Sequence, residues 1–249
     1  MAGHSHSKNI MHQKGASDAK KAKIFNKLGR EITVACKLGV PDPAGNPRLR
    51  AAIADARKNS MPRDRIERAI KSALPGTKDS ADYLEIRYEG YGPGGCALIV
   101  EALTDNRNRT ASELRTAFSK LGGAMGETGS VAFLFNRIGE ILFAGKVATA
   151  DTMLEAVVDA GADNVESDDE RHAITTSVEG FGAVRAALEK KFGEPESARL
   201  TWVAKSYNAV SGEDAQNLTK LIEVLEDNDD VQHVIGNFLI DPADTKAAL

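Results

Sequence analysis

Between Ser17 and Leu38 the apolar residues Ile24, Phe25, Leu28, Ile32, Ala35 and Leu38 recur every three or four positions, the period of a helix with one buried stripe. Gly39 and Pro41 end the run, and VPDPAGNP reads as a turn. A second helix is predicted with Asn46 as its cap and Pro47 at its first position, turning Leu49, Ala52, Ile53 and Ala56 inward. A third starts at Pro62. Its Ile66, Ala69, Ile70 and Ala73 face one way, while Arg63, Arg65, Arg68 and Lys71 face the other. Three short amphipathic helices joined by tight turns bury their stripes against each other as a small bundle, which closes at Pro75-Gly76.

Beyond a polar linker the apolar period shortens to that of strands separated by helices. From Ile138 to Ala204 the order is strand, helix, strand, strand, helix, strand (EILFA, TADTMLEAVVDAG, DNVES, HAITTSV, FGAVRAALEKKFG, ARLTWVA), the ferredoxin-like βαββαβ sequence of elements. The flanks are incomplete alone. Residues 82–135 supply strands YLEIRYEG, CALIVEAL and SVAFLF with a helix RTASELRTAFSKLG, and residues 213–240 supply a helix EDAQNLTKLIEVLED and a strand VQHVIGNF. The expected class is α+β: an N-terminal basic three-helix bundle plus two ferredoxin-like α+β domains, one inserted in the other. The boundaries are 1–78 for the helical domain, 79–136 with 206–242 for the discontinuous domain, and 137–205 for the inserted one.

Charge changes this picture most. Residues 1–78 hold ten Lys and seven Arg against six carboxylates, a net +11, which leaves −15 for the rest of a chain whose total is −4. So uneven a division separates a polyanion-binding surface from a part that repels nonspecific contact. The composition, 42% hydrophobic and 27% charged, is that of a folded soluble protein, and 5% aromatic argues against an aromatic-rich stacking platform. The N-terminus has no apolar core of the secretory kind and no long apolar run follows, so the expected compartment is the cytoplasm. Cys36 and Cys96 form no CxxC and read as small buried residues.

The candidate nucleic-acid contacts are the cations of the helical third: Lys8, Lys14, Lys20, Lys21, Lys23, Lys27 and Arg30 on or before the first helix, then Arg48, Arg50, Arg57, Arg63, Arg65 and Arg68 on the next two. Such side chains neutralise phosphates and release counterions. No helix-turn-helix signature accompanies them. In the TDNRNRT run, Asp105 or Asn106 caps a helix, and Arg107 and Arg109 either follow from that cap or bind an anion beside it. The glycine-rich loop 122–129 carries Met125 and reads either as a partner contact or as a plain connection.

Other constellations read as structure. Gly90, Gly92 and Gly95 spell GxGxxG, but between two strands and around Pro93, so a hairpin turn is expected and no dinucleotide site. His4, His6 and His12 lack further ligands for a metal, and Asp168 to Glu170 and Glu226 to Asp230 lack the ligand alternation of a calcium loop. The carboxylate runs are expected to be solvated charge. No catalytic set, metal or cofactor is indicated.

The blocks AGHS, KGASDAKKAKIFNKLGREITVA, NPRLRAAI, MPRDRIERAIK, EGYGPGG, EALTDNRNRTASE and GGAMGETGSV resemble the YebC family of bacterial proteins, which includes a mitochondrial translational activator of cytochrome oxidase. The resemblance runs from about residue 2 to residue 240, nearly the whole chain. It departs from the family pattern at Ser7, where many members carry Trp, and at Gln13, where they carry a basic residue. The resemblance implies a three-domain protein with a basic helical N-terminal domain, of a group labelled DNA-binding transcriptional regulators, some of which act on translation at the ribosome. The expected function is a non-enzymatic nucleic-acid-binding regulator of gene expression acting on DNA. The alternatives are a ribosome-associated translation factor binding ribosomal RNA, and a protein-interaction adaptor.

Overall fold

The computed structural model describes residues 18–74 and 82–240, with side chains from Lys21 onward. Three helices open the chain: α1 (Asp18–Leu38), α2 (Pro47–Lys58) and α3 (Arg63–Ser72). Asn46 is the joint between the first two. Its Oδ1 accepts from the Leu49 amide at 3.0 Å as an N-cap, while its Nδ2 donates to the carbonyls of Ala35 (2.7 Å) and Val40 (2.9 Å). A Cβ at Gly39 would lie 2.6 Å from that Nδ2, so only glycine lets α1 end against the cap. The three stripes meet in one buried cluster that includes Ile32, Leu49, Ala56, Met61 and Ile66, but the ends of the first stripe do not reach it: Ile24 and Leu38 are exposed.

Strands β1 (Leu84–Tyr91) and β2 (Ala97–Thr104) form an antiparallel hairpin whose connection is the short turn Pro93–Gly95, with Gly94 and Gly95 at φ 69° and 71°. The GxGxxG run is therefore a hairpin turn. Helix α4 (Arg107–Lys120) and strand β3 (Ala124–Met125) follow. Strand β4 (Phe135–Ala144), helix α5 (Ala150–Ala160), strands β5 (Asn164–Ser167) and β6 (Arg171–Thr176), helix α6 (Phe181–Phe192) and strand β7 (Ser197–Ala204) come next. The chain continues through β8 (Asn208–Val210), α7 (Gly212–Asp227), β9 (Val231–Gly236) and β10 (Phe238–Ile240).

These elements form a mixed α+β fold that divides into two compact units, Phe135–Val203 and the remainder. The first has the strand order β5-β6-β4-β7, with antiparallel β4–β6 and β5–β6 pairs, which is the ferredoxin-like order. Its core sets Ile141, Phe143 and Ile174 against Met153 of α5 and Leu188 of α6. In the other unit the sheet order is β3-β1-β2-β9, so a strand from after the insertion pairs antiparallel with β2 from before it. Leu98 and Val100 of β2 pack with Phe118 of α4 and Leu218, Leu221 and Leu225 of α7. The three-helix bundle belongs to this same unit.

Two strand expectations are corrected. SVAFLF is not a strand of the interrupted sheet, because the buried carboxylate of Glu89 takes the amides of Val131 and Ala132, each at 2.9 Å, and Ala132–Leu134 turns as a short 3-10 helix. Ala124-Met125 supplies the edge strand instead, against Gly90 and Tyr91. A Cβ at Gly90 would sit 2.7 Å from the Ala124 carbonyl, so the missing side chain admits this close pairing. VQHVIGNF breaks at Asn237, whose side chain accepts from the Ala97 amide at 2.6 Å, and the residues after it pair in parallel with β8.

Candidate nucleic-acid interface

The cations of the helical third divide by what they touch. On α1, Lys23, Lys27 and Arg30 stand at positions i, i+4 and i+7, one face of the helix. All three reach the end of α7 and the turn leading into β9. Lys23 pairs with Asp227 at 3.0 Å, Lys27 donates to the carbonyl of Glu226, and Arg30 donates to the carbonyl of Asp229 at 2.7 Å and to the Asp230 carboxylate. The Arg30 guanidinium also lies 5.5 Å from the centre of the Tyr83 ring.

Asp230 is the centre of this seam. Its side chain is 4% exposed, and its Oδ2 accepts from Arg109 (2.8 Å), Thr110 (2.6 Å) and Thr104 (3.1 Å) while Oδ1 faces Arg30. Its backbone is held as well: its amide donates to Asn228 Oδ1 and its carbonyl accepts from the Leu103 amide. Burial alone would raise its pKa. The hydrogen bonds from Arg109 and Thr110 and the charge of Arg30 outweigh that and hold it below the usual aspartate value. Burial also lowers the Lys27 pKa, against the pull of Glu226, Asp229 and Asp227.

Here the reading of Glu226 to Asp230 as solvated charge holds for Glu226 and Asp227, which are exposed, and is overturned at Asp230, which is buried. The run ends a helix directly before the strand residue Val231, so its last carboxylate enters the core boundary and needs donors, which α1 and α4 supply. Sequence reasoning missed Asp230 and its threonine donors for the lack of any local motif; its one signal is an acid adjoining an apolar strand. Arg109, a candidate contact, spends its guanidinium on Asp105 (2.9 Å) and Asp230. Arg107 is exposed, and Asn106 caps α4 through the Arg109 amide. Met125 is half-buried and packs against the sheet core.

Arg48 joins three elements, with two bonds to Glu31 (2.6 and 3.0 Å) and one to Glu85 of β1 (2.5 Å). Arg50 donates to the Pro43 carbonyl at 3.4 Å, and the Arg65 guanidinium lies over the Phe25 ring at 5.5 Å. Lys37 pairs with Asp82 at 3.0 Å, and the other cations with described side chains point to solvent. Lys21, Arg57, Lys58, Arg68 and Lys71 are exposed, and among the described residues none of these five has an acidic partner. Arg63, 88% exposed, pairs with Glu67 one turn along its own helix and, among the described residues, with no other acid. Arg63, Arg68 and Lys71 span about 12 Å of α3, and Arg57 and Lys58 end α2 just before the turn into it. Lys8, Lys14, the Lys20 side chain and His4, His6 and His12 lie outside the described residues.

The other unit has the element order of a common RNA-binding sheet, but not its surface. On the central strands the positions alternate to those of the core are Glu140, Leu142 and Ala144 opposite Thr175, Ala173 and Arg171. Without aromatic rings there, bases have nothing to stack on. Cys96 is buried and its thiol is pushed up to about 11, which keeps it protonated and unreactive at neutral pH. Among the described residues no group of three or more His, Cys, Asp or Glu is placed to hold a metal ion, and no helix is long and apolar enough to cross a membrane.

Two family profiles match this chain. One, described as the TACO1/YebC protein N-terminal domain, covers residues 5–75; the other, described as the TACO1/YebC second and third domain, covers residues 83–238. A crystal structure of a conserved hypothetical protein from Aquifex aeolicus is 45% identical, over 93% of this chain and 96% of that one, with a TM-score of 0.81.

Proposed function

Since the chain belongs to the TACO1/YebC family, whose members are transcriptional-regulator-like, we propose that it is a nucleic-acid-binding regulator gripping the phosphate backbone through α2 and α3. One observation carries this reading: Arg57, Lys58, Arg68 and Lys71 are exposed and, among the described residues, none of them makes an ion pair with a carboxylate, in a protein whose net charge is −4. A chain with acid to spare pairs its cations elsewhere, as on α1, so a face left unpaired is held for an external anion.

The action is electrostatic. Each phosphate met by a cation releases condensed counterions, so affinity falls steeply with salt and depends weakly on base sequence. Arginine adds two parallel donors to one phosphate. The acidic remainder limits contact to this face, and the regulator works from the cytoplasm on DNA, with the ribosome as the competing target.

The test replaces Arg57, Arg68 and Lys71 by Glu. Binding to duplex DNA, followed by fluorescence anisotropy, is expected to vanish at moderate salt while thermal unfolding is unchanged. Unchanged affinity and salt slope would remove the proposal. Sedimentation of the wild-type protein through a sucrose gradient separates the targets: travel with ribosomes, lost in the variant, assigns the face to ribosomal RNA.

A further inference from the structure

We infer that Lys23 and Lys27 of helix α1 form a second phosphate-binding surface, which the chain's own acidic turn, Glu226 to Asp229, covers and occupies as a phosphate strand would. The identity of the ligand rests on the reading above; the existence of the covered surface does not. The three cations facing the turn, Lys23, Lys27 and Arg30, are set at helical spacing over about 10 Å, a distance in which one DNA strand presents a charge roughly every 3.4 Å. The groups they meet are anionic or carbonyl oxygens clustered within residues 226–230: the Asp227 carboxylate, the Glu226 carbonyl, the Asp229 carbonyl and the Asp230 carboxylate.

The two ends of this contact are unequal. Arg30 and Asp230 are 18% and 4% exposed and share their site with Arg109, Thr104 and Thr110. Lys23 and Asp227 are 41% and 63% exposed, where an ion pair is weak and readily exchanged. Lys27 is half-buried and its hydrogen bond goes to a neutral carbonyl, with the carboxylates of Glu226, Asp229 and Asp227 nearby but not in direct contact, a weaker arrangement than a bond to a phosphate oxygen. A phosphate strand can therefore take the outer half while Arg30 and Asp230 keep the bundle docked. Lys21, exposed at the same end of α1, extends the uncovered surface. In the free protein the turn thus inhibits this half of the footprint, by filling its cations and by repelling incoming anions.

The test is the full chain carrying Glu226→Gln and Asp227→Asn, titrated with duplex DNA, single-stranded RNA and inorganic polyphosphate over a range of salt. Affinity is expected to rise several-fold, and the slope of log K against log salt to steepen by about 1.8, from 0.9 for each of two added phosphates. Asp151→Asn with Glu155→Gln, exposed residues of α5, changes net charge equally and is expected to leave the slope alone. Adding Lys23→Ala and Lys27→Ala to the first variant should erase its gain. Equal slopes in the first variant and the control overturn the inference. If polyphosphate shows the steeper slope while neither nucleic acid binds, the covered surface stands and the nucleic-acid reading falls; if no probe binds, both fall.

Discussion

Helix α1 and the pair α2–α3 are similarly rich in Lys and Arg, yet one face of α1 spends its cations on acids of the fold while the end of α2 and the outer face of α3 turn theirs outward. Lys23, Lys27 and Arg30 meet the end of α7 and a buried carboxylate, whereas Arg57, Lys58, Arg68 and Lys71 meet water. Amino-acid type does not separate the two sets; the neighbour does. A cation opposite an acid in the fold is part of its architecture, and one without an acid is available to a ligand. Net charge, which sums both, overstates the binding surface of the helical third.

The contrast is broken most severely at Asp230. Asp230→Ala leaves Arg30 and Arg109 converging on an empty site and Thr104 and Thr110 without their acceptor, so unfolding in urea should show a loss of about 3–5 kcal/mol. Arg68→Ala, on the solvent side, should cost less than about 0.5 kcal/mol. Acid should reproduce part of the first effect. The folded pKa values of Asp230 and Glu89 both lie below their ordinary 3.8 and 4.5, because hydrogen bonds and nearby arginines outweigh burial. Their stabilisation is then complete above the ordinary values and is lost as the pH falls through the lower folded ones. Stability against urea measured from pH 7 to pH 3 should fall below about pH 4, and less steeply in Asp230→Ala.

Glu89 is a second buried carboxylate, fed by main-chain amides as well as by Arg87. Glu89→Gln keeps the shape but presents an amide where two oxygens now serve Arg87 and the amides of Val131 and Ala132. A cost of about 1–3 kcal/mol follows from the donor left unmet. Hydrogen exchange at Val131 and Ala132 should quicken, while exchange in α1 and binding by α2–α3 stay as they were.

What could be read from the chain was whatever repeats along it. The three inward stripes of the bundle, the Asn46 cap and the βαββαβ order of the inserted unit follow from periodicity and capping chemistry within short windows. The seam could not be read this way, because Arg30 and Asp230 are 200 positions apart and nothing local marks them as partners. The same is true of Glu89, which reshapes a segment 42 residues onward and converts an expected strand into a turn. Solvent exposure of Arg57 and Arg68 was legible from the helical face; the engagement of Lys23, Lys27, Arg48 and Arg109 was not, since it depends on acids from other elements.

The smallest effect sharpens the comparison within α1 itself. Lys23 and Arg30 lie two turns apart on one face and both contact the acidic turn, so a seam of uniform strength would make Lys23→Ala and Arg30→Ala alike. Their surroundings predict otherwise. Around Lys23 water screens the pair and each partner is solvated in the variant, so Lys23→Ala should change unfolding free energy by about 0–1 kcal/mol. Arg30→Ala instead strands a buried carboxylate that keeps only part of its donors, and its loss should approach that of Asp230→Ala. Added salt should shrink the Lys23 effect towards zero and leave most of the Arg30 effect, because screening acts on exposed charge far more than on buried charge. Equal losses for the two variants, or equal salt dependence, would mean that the outer half of the seam is as firmly made as the inner half, and that α1 has no cations to give to a phosphate strand.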